Sequence, residues 1–257
     1  MKQIPRILCI GGHDPTGGAG IQADIETVSA LGGQALTLVT ALTAQDTTDV
    51  AAVLPTPPAS FVAQLDRLLA DVRADAVKIG MIGSAALIPP LRELLEGFPG
   101  PVVLDPVLAA GGGFDLASDA LTQAIRRELL SHTTLVTPNR AEARRLAACE
   151  DADAAAQCLL DAGAAAVLLT GADEAGGGRV RNRLFSRAGP PRDFEWPRLP
   201  HRYHGSGCTL ASACATRLAF GDPPADAAEA AQAFTWRALE SALAAGRGQR
   251  LPWRRGA

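Results

Sequence analysis

The sequence predicts an α/β protein: a three-layer sandwich with a mostly parallel central sheet, helices on both faces and one small antiparallel hairpin. Three observations carry this. Short runs rich in Val, Ile and Leu (RILCIGG, ALTLVTAL, AVKIGM, VVLDPV, TLVTP and AVLLTG) recur along the 257 residues, and runs of that length read as strands buried on both faces. Longer segments of helical period separate them, as crossovers between parallel strands require. The stretch 179–199 breaks the pattern, because RVRNRLFS and RDFEWPRL alternate polar and apolar residues around AGPP, which is how an antiparallel hairpin reads.

In chain order, RILCIGG opens the sheet and a glycine-rich loop leads to a helix over 20–31. ALTLVTAL gives the second strand, followed by a helix over 59–71. AVKIGM precedes a helix over 84–96, and VVLDPV one over 117–129. After TLVTP come helices over 139–147 and 152–162. AVLLTG ends the parallel series, the hairpin follows, and helices over 206–219 and 224–245 complete the chain; Leu210, Cys214 and Leu218, four apart, share one face of the former. No Pro/Ser-rich linker or fixed-period repeat intervenes, and AGGG (110–113) and AGGGR (175–179) are loop-sized, so residues 1–257 are expected to form a single domain.

Composition narrows the function classes. Hydrophobic residues at 47% and charged residues at 20% give a globular balance. A net charge of −3, with only the Arg254-Arg255 pair as a like-charged run, does not suit a nucleic-acid partner; that pair reads as a solvated tail. Five cysteines without a C-x-x-C pair predict free thiols in a reducing compartment, hence the cytoplasm. The opening MKQIPRILCIGG has too short an apolar run for a signal peptide or a membrane span. Lysine occurs only at Lys2 and Lys78.

Ligands of an open parallel sheet collect beyond the carboxyl ends of its strands. HGSGCTL (204–210) places Cys208 at the mouth of a helix. There the unpaired N–H groups and the dipole favour a thiolate, and the flanking glycines let a phosphate approach; the other reading is a small apolar residue where a buried helix begins. In GGHDPTGGAGIQAD (11–24), Gly18, Gly20 and Ala23 satisfy G-x-G-x-x-A, but His13, Asp14 and Pro15 displace the glycines from the tight first turn a dinucleotide site needs. Asp14 and Asp24 can accept from a small ligand, or Asp24 can simply be a first-turn acid. Gln45, at the end of the second strand, offers an amide that pairs with an aminopyrimidine edge, or is a surface loop residue. Asp105 follows VVL at a strand end, where a metal–phosphate complex would sit. Asn139 and Glu142 supply oxygen ligands suited to Mg²⁺, or form a helix cap.

In order and nearly end to end, over about residues 5–245, GGHDPTGGAGIQADIET, ALTAQDT, KIGM, VLDPV, VTPNRAEA and HGSGCTL resemble the hydroxymethylpyrimidine/phosphomethylpyrimidine kinases of thiamine biosynthesis, members of the ribokinase-like superfamily. The resemblance implies the ribokinase-like sandwich and an ATP- and Mg²⁺-dependent kinase. Its substrate would be 4-amino-5-hydroxymethyl-2-methylpyrimidine and then the monophosphate. It implies an anion hole of Gly205, Ser206, Gly207 and Cys208, with Cys208 where most ribokinase-like enzymes carry a catalytic aspartate. Asp24, Gln45, Met81, Gly12 and Val107 would contact the pyrimidine. Asn139, Thr170, Gly171 and Asp105 would serve the nucleotide, and Glu142 with Asn139 the Mg²⁺, through water. It further implies a homodimer. Two departures stand out: Thr170-Gly171-Ala172-Asp173 replaces a Lys-Gly-Gly-His run, removing a cation near the nucleotide phosphates, and AAGGG replaces a serine-containing loop after VLDPV. For the second phosphorylation that leaves the 205–208 amides, the metal, and His204 or an arginine such as Arg140 or Arg202. The rival readings are a pyridoxal kinase of the same superfamily and a non-catalytic pyrimidine-binding relative.

Overall fold

The computed structural model describes residues 4–110, 113–173 and 177–257. Lys2, Gly111 and Gly112 of the AAGGG loop, and Ala175 and Gly176 of the AGGGR stretch lie outside the described residues.

One nine-stranded sheet spans the molecule in the order β3-β2-β1-β4-β5-β6-β7-β8-β9. Its centre is parallel: β1 (Arg6–His13), β2 (Gln34–Gln45), β4 (Ala76–Ile79), β5 (Val102–Leu104), β6 (Leu135–Val136) and β7 (Ala166–Leu169). Both margins are antiparallel, β3 (Val50–Pro55) on β2 at one side and the hairpin β8 (Arg179–Ser186) and β9 (Gly189–Pro197) on β7 at the other. Alternation along the strands divides the interior in two. Leu8, Ile10, Val77 and Ile79 face the helices α2 (Pro58–Leu69), α3 (Ile88–Leu95), α4 (Asp119–Glu128), α5 (Arg140–Ala147) and α6 (Ala152–Asp161). Ile7, Cys9, Ala76 and Val103 face α1 (Gly20–Ala30), α7 (Ser206–Ala219) and α8 (Pro224–Glu240). The result is the three-layer α/β sandwich expected.

Three details depart from expectation. Strand β3 carries Pro55 at its end and was not foreseen; proline is tolerated there because β3 is an edge strand. The hairpin turns at Arg187-Ala188, with Ser186 opposite Gly189, so the Gly-Pro-Pro run lies in edge strand β9 rather than in the connection. Helix α8 stops at Glu240, short of 245, because the chain folds back and Leu243 pairs with Leu251. No helix among the described residues is long and apolar enough to cross a membrane.

The strand order reverses between β1 and β4: β2 lies to one side of β1 and β4 to the other. At such a switch point the loops leaving the two strands diverge and open a crevice.

Candidate active site

A cavity of about 630 Å³ lies in that crevice and runs past the carboxyl ends of the strands from β2 to β9, a size suited to small ligands. Cys208, Gly205, Ser206, Gly207, Gln45, Met81, Gly12, Val107, Asn139, Thr170, Asp105 and Glu142 all line it. Asp24 and Gly171 do not.

At the β2–β1–β4 side, Gly12 lies against Met81, whose Cε would stand 2.3 Å from a Cβ at position 12. Gln45 donates from its amide nitrogen to Thr43 Oγ1 (2.8 Å), and Thr43 donates to the His13 carbonyl (2.8 Å), which aims the rest of the amide. The loop 14–20 is organised by Asp14. Its carboxylate accepts from Thr16 N–H (2.8 Å), Thr16 Oγ1 (2.9 Å) and Ala19 N–H (2.7 Å), and pairs with His204 Nε2 at 2.9 Å. Burial pushes this carboxyl up, but the His204, Thr16 and Ala19 hydrogen bonds prevail and hold it at about 2.

Helix α7 begins where this loop touches it. Gly205 is its N-cap at φ +70°, and a Cβ there would stand 1.9 Å from the Gly18 carbonyl oxygen, so glycine is required. No side chain caps the helix, and its first-turn N–H groups face the cavity. Cys208 stands in that turn, but the thiolate expected from the dipole is not what its surroundings favour. Loss of solvent pushes the thiol up to about 11, Asp105 and Asp24 add to this, and Lys78 and the Gly20 N–H oppose it.

Lys78 lies on the α7 side of β4 and lines the cavity while fully buried. Its ammonium grips both oxygens of Asp24 (2.8 and 2.9 Å), and Asp24 Oδ1 also accepts from Ser212 Oγ at 2.7 Å. Burial works against the ammonium, yet Asp24, Cys208 and Asp105 hold Lys78 well above the usual lysine range. This differs from the expectation for Asp24: its carboxylate is fully buried, committed to Lys78 and Ser212, and outside the cavity lining.

Asn139 and Glu142 form a reciprocal cap at the start of α5: Asn139 Oδ1 accepts from Glu142 N–H and Glu142 Oε2 from Asn139 N–H, both at 2.9 Å. The cap reading is thus realised, yet the carboxyl remains at the cavity wall. Desolvation pushes it up to about 8, helped by Asp105. Asp105 is pushed up to about 6 by burial, against Lys78 and with Asp24. Asp105 Oδ2 and Thr137 Oγ1 line the cavity without a protein partner. These two desolvated carboxyls, one of them with an oxygen left without a partner, form an oxygen donor set that fits a hard cation such as Mg²⁺, which takes one or two carboxylates and fills its shell with water and phosphate oxygens. No cluster of three or more His, Cys, Asp or Glu exists among the described residues.

Beyond α5, Thr170 is bridged to Asn139 and faces the cavity. Gly171 does not: its N–H is spent on Asn182 Oδ1 at 2.9 Å. Asn182 Nδ2 and Trp196 Nε1 both donate to Gln232 Oε1 (2.8 and 3.0 Å), and all three line this end. Sequence reasoning missed them because they come from the hairpin and α8, and no motif joins them. Of the proposed arginines, Arg202 lines the cavity, whereas Arg140 turns away to Asp153.

Comparison with known proteins gives a consistent picture. A family profile described as phosphomethylpyrimidine kinase matches residues 14–253. The hydroxymethylpyrimidine/phosphomethylpyrimidine kinase of Escherichia coli K12 is 38% identical over 255 residues, covering 95% of this chain and 92% of that protein. The thiamine biosynthesis bifunctional protein ThiED of Geobacter sulfurreducens is 41% identical over 249 residues, 94% of this chain; the chain spans only 50% of that relative's length. The pyridoxal kinase from Staphylococcus aureus, solved with AMP-PCP and pyridoxal, superposes with a TM-score of 0.90 at 27% identity, over 98% of this chain and 94% of that one.

Proposed function

The chain belongs to the phosphomethylpyrimidine kinase family, and from that premise we propose that it is a single-domain kinase that phosphorylates 4-amino-5-hydroxymethyl-2-methylpyrimidine and then its monophosphate, with ATP and Mg²⁺, acting as a cytoplasmic homodimer. The observation that carries the reading is the single cavity shared by Gln45, the open first turn of α7 and the Asp105–Glu142 carboxyls. An amide for a pyrimidine edge, N–H groups for a transferring phosphoryl and oxygens for a cation are the parts phosphoryl transfer needs.

Gln45, Gly12, Met81 and Val107 hold the pyrimidine, and the Thr43 bond to Gln45 fixes the amide before the ligand arrives. The N–H groups of Gly205, Ser206, Gly207 and Cys208 meet the charge that spreads over the phosphoryl oxygens. The substrate hydroxyl oxygen attacks the γ-phosphorus as the bond to the ADP oxygen breaks, and its proton passes to Cys208 Sγ in the thiolate form, the minor form in the ligand-free chain and the one that Lys78 and the Gly20 N–H favour. Bound Mg²⁺ supplies charge neutralisation at the phosphates, and Asp105 with Glu142 would hold it, Asn139 keeping the Glu142 carboxyl in place. ATP would extend past Thr170 towards the β9 side of the cavity.

The superposition on a pyridoxal kinase favours a second reading, in which the acceptor is a pyridine alcohol. ADP release measured with each alcohol in turn tests both. Turnover with the aminopyrimidine and little with pyridoxal is expected; the reverse would reassign the substrate, and binding without ADP release would end the kinase reading.

A further inference from the structure

Arg254 is among the largest fully buried side chains, 1% exposed, although it lies in the run that reads as a solvated tail. It also lies just past the segment matched by the family profile, which ends at 253. The chain around it threads between three walls of the cavity. Gly248 and Gln249 donate backbone N–H groups to Thr47, two residues from Gln45. Arg250 exchanges backbone hydrogen bonds with Arg202 and His204 at the approach to α7, each 2.9 Å. The Arg254 guanidinium then closes the circuit. Nε donates to Thr209 Oγ1 at 2.9 Å, Nη1 to the Gly17 carbonyl at 3.4 Å and to Glu26 Oε2 at 3.1 Å, and Nη2 to the Gly18 carbonyl.

These partners belong to two structures that must keep a fixed separation. Gly17 and Gly18 are in the loop that Asp14 organises beside the acceptor pocket, and Thr209 is in the first turn of α7, where its hydroxyl also donates to the Gly205 carbonyl at 2.8 Å. The Asp14–His204 pair, the Gly18–Gly205 contact and the Gly20 N–H at Cys208 join them as well. A planar fork holds the two carbonyls, the hydroxyl and the Glu26 carboxylate at once, four acceptors where an ammonium has only three donors. The carbonyls, the hydroxyl and Glu26 together satisfy a charge that would otherwise be costly to bury.

We propose that Arg254 is a positioning residue for phosphoryl transfer: it pins the 14–20 loop to the first turn of α7, so that the acceptor hydroxyl meets the phosphoryl-binding amides at the correct distance. The inference rests on the kinase reading. Reaction rates respond steeply to such placement, a shift of about 1 Å costing up to about 10²-fold. Arg254→Ala is therefore expected to lower kcat at least about tenfold while KM for the pyrimidine changes less than about threefold, since Arg254 does not touch Gly12, Gln45 or Met81. Arg255→Ala, at an exposed side chain, should leave both unchanged.

The deciding experiment adds millimolar guanidinium chloride, with potassium chloride as control, to Arg254→Ala. Guanidinium can refill the vacated site and restore turnover, whereas a variant that is merely less stable would lose activity further. Hydrogen exchange is read in parallel, without substrate, and is expected to quicken over 14–20 and 205–209 and nowhere else. Unchanged kcat in Arg254→Ala overturns the proposal, as does a loss that guanidinium does not recover accompanied by uniform or unaltered exchange. If the parent itself releases no ADP with either alcohol, the kinase reading fails, and the exchange pattern still shows whether Arg254 joins the two segments.

Discussion

At Cys208 two influences meet. The first turn of α7 and the Lys78 ammonium favour a thiolate, desolvation and the Asp105 and Asp24 carboxyls favour the thiol, and the balance lies at about 11. Carbamidomethylation of Cys208 in the ligand-free protein should therefore be slow at neutral pH and quicken about tenfold per pH unit towards the alkaline side, with the half-buried Cys149 and Cys158 as internal references in the same mass spectrum. Rapid neutral labelling would mean that the dipole wins. Replacing Cys208 by Ala should slow phosphorylation of the alcohol about 10²-fold. It should spare phosphorylation of the monophosphate, whose attacking oxygen is already an anion with no proton to lose. Asp14 gives a second prediction. Its carboxyl sits at about 2 in the folded chain against 3.8 for a free side chain, a lowered value, so its stabilisation of about 2 kcal/mol is present above pH 4 and is lost as pH falls through 2. The stability gap between parent and Asp14→Asn in urea melts should accordingly be wide at pH 7 and narrow at pH 3. Gly12, Gln45, Met81, Asp105, Asn139 and Thr170 were legible because each follows an apolar run, where a parallel sheet delivers its ligands. Asp24 was not, since its partners Lys78 and Ser212 are 54 and 188 positions away, and only the folded chain shows that its oxygens are taken.

The same pair of residues governs how elements are joined. Lys78 on β4, Asp24 on α1 and Ser212 on α7 meet at one buried point, one helical turn below Cys208, so the ion pair and the Ser212 hydrogen bond together hold the helix that carries the proposed phosphoryl-binding amides against the strand that leads to Met81. Removing one partner strands a charge in the interior, so Lys78→Met should cost about 3–5 kcal/mol in chemical denaturation. Lys78→Met with Asp24→Leu leaves no unpaired charge and should recover most of that loss, short of about 1 kcal/mol for the Ser212 hydroxyl. A double variant no more stable than the single would show that packing around Lys78, rather than charge, is what the site requires. Helix positions were readable to within a few residues because caps and strand ends bracket them, as Asn139 does for α5 and Asp151 for α6. What escaped was set by tertiary contacts. Strand β3 is short, proline-ended and recruited by its pairing with β2. The end of α8 is dictated by the Leu243–Leu251 pairing and not by any breaker in an alanine-rich run.

For the molecule as a whole, the proposed second phosphorylation would be the demanding step. It would bring a doubly charged monophosphate against the γ-phosphate of ATP in a cavity already lined by Asp105 and Glu142, so the repulsion would have to be offset by cations and oriented dipoles. Lys78 reaches this cavity, contrary to what its place in a strand suggested, but its charge is matched by Asp24 at 2.8 Å and adds no net cation. Position 170, bridged to Asn139 beside the proposed cation ligands, holds a neutral threonine. Neutralisation would then fall to the 205–208 amides, to Mg²⁺ and to a side chain such as Arg202 on the same wall, since His204 beside it is already matched by Asp14 at 2.9 Å. The second step should accordingly be slower than the first and more steeply dependent on Mg²⁺, and Thr170→Lys, which sets an ammonium beside the phosphates, should quicken it several-fold while leaving the first step nearly unchanged. Mass spectrometry of products over time, across a Mg²⁺ series, reads both rates at once. Monophosphate that accumulates and then drains into diphosphate, faster with more Mg²⁺ and faster again in Thr170→Lys, is the expected course. Diphosphate that appears without a monophosphate lag, equally in parent and variant, would show that the fixed amides of α7 alone suffice to hold two charged phosphates together.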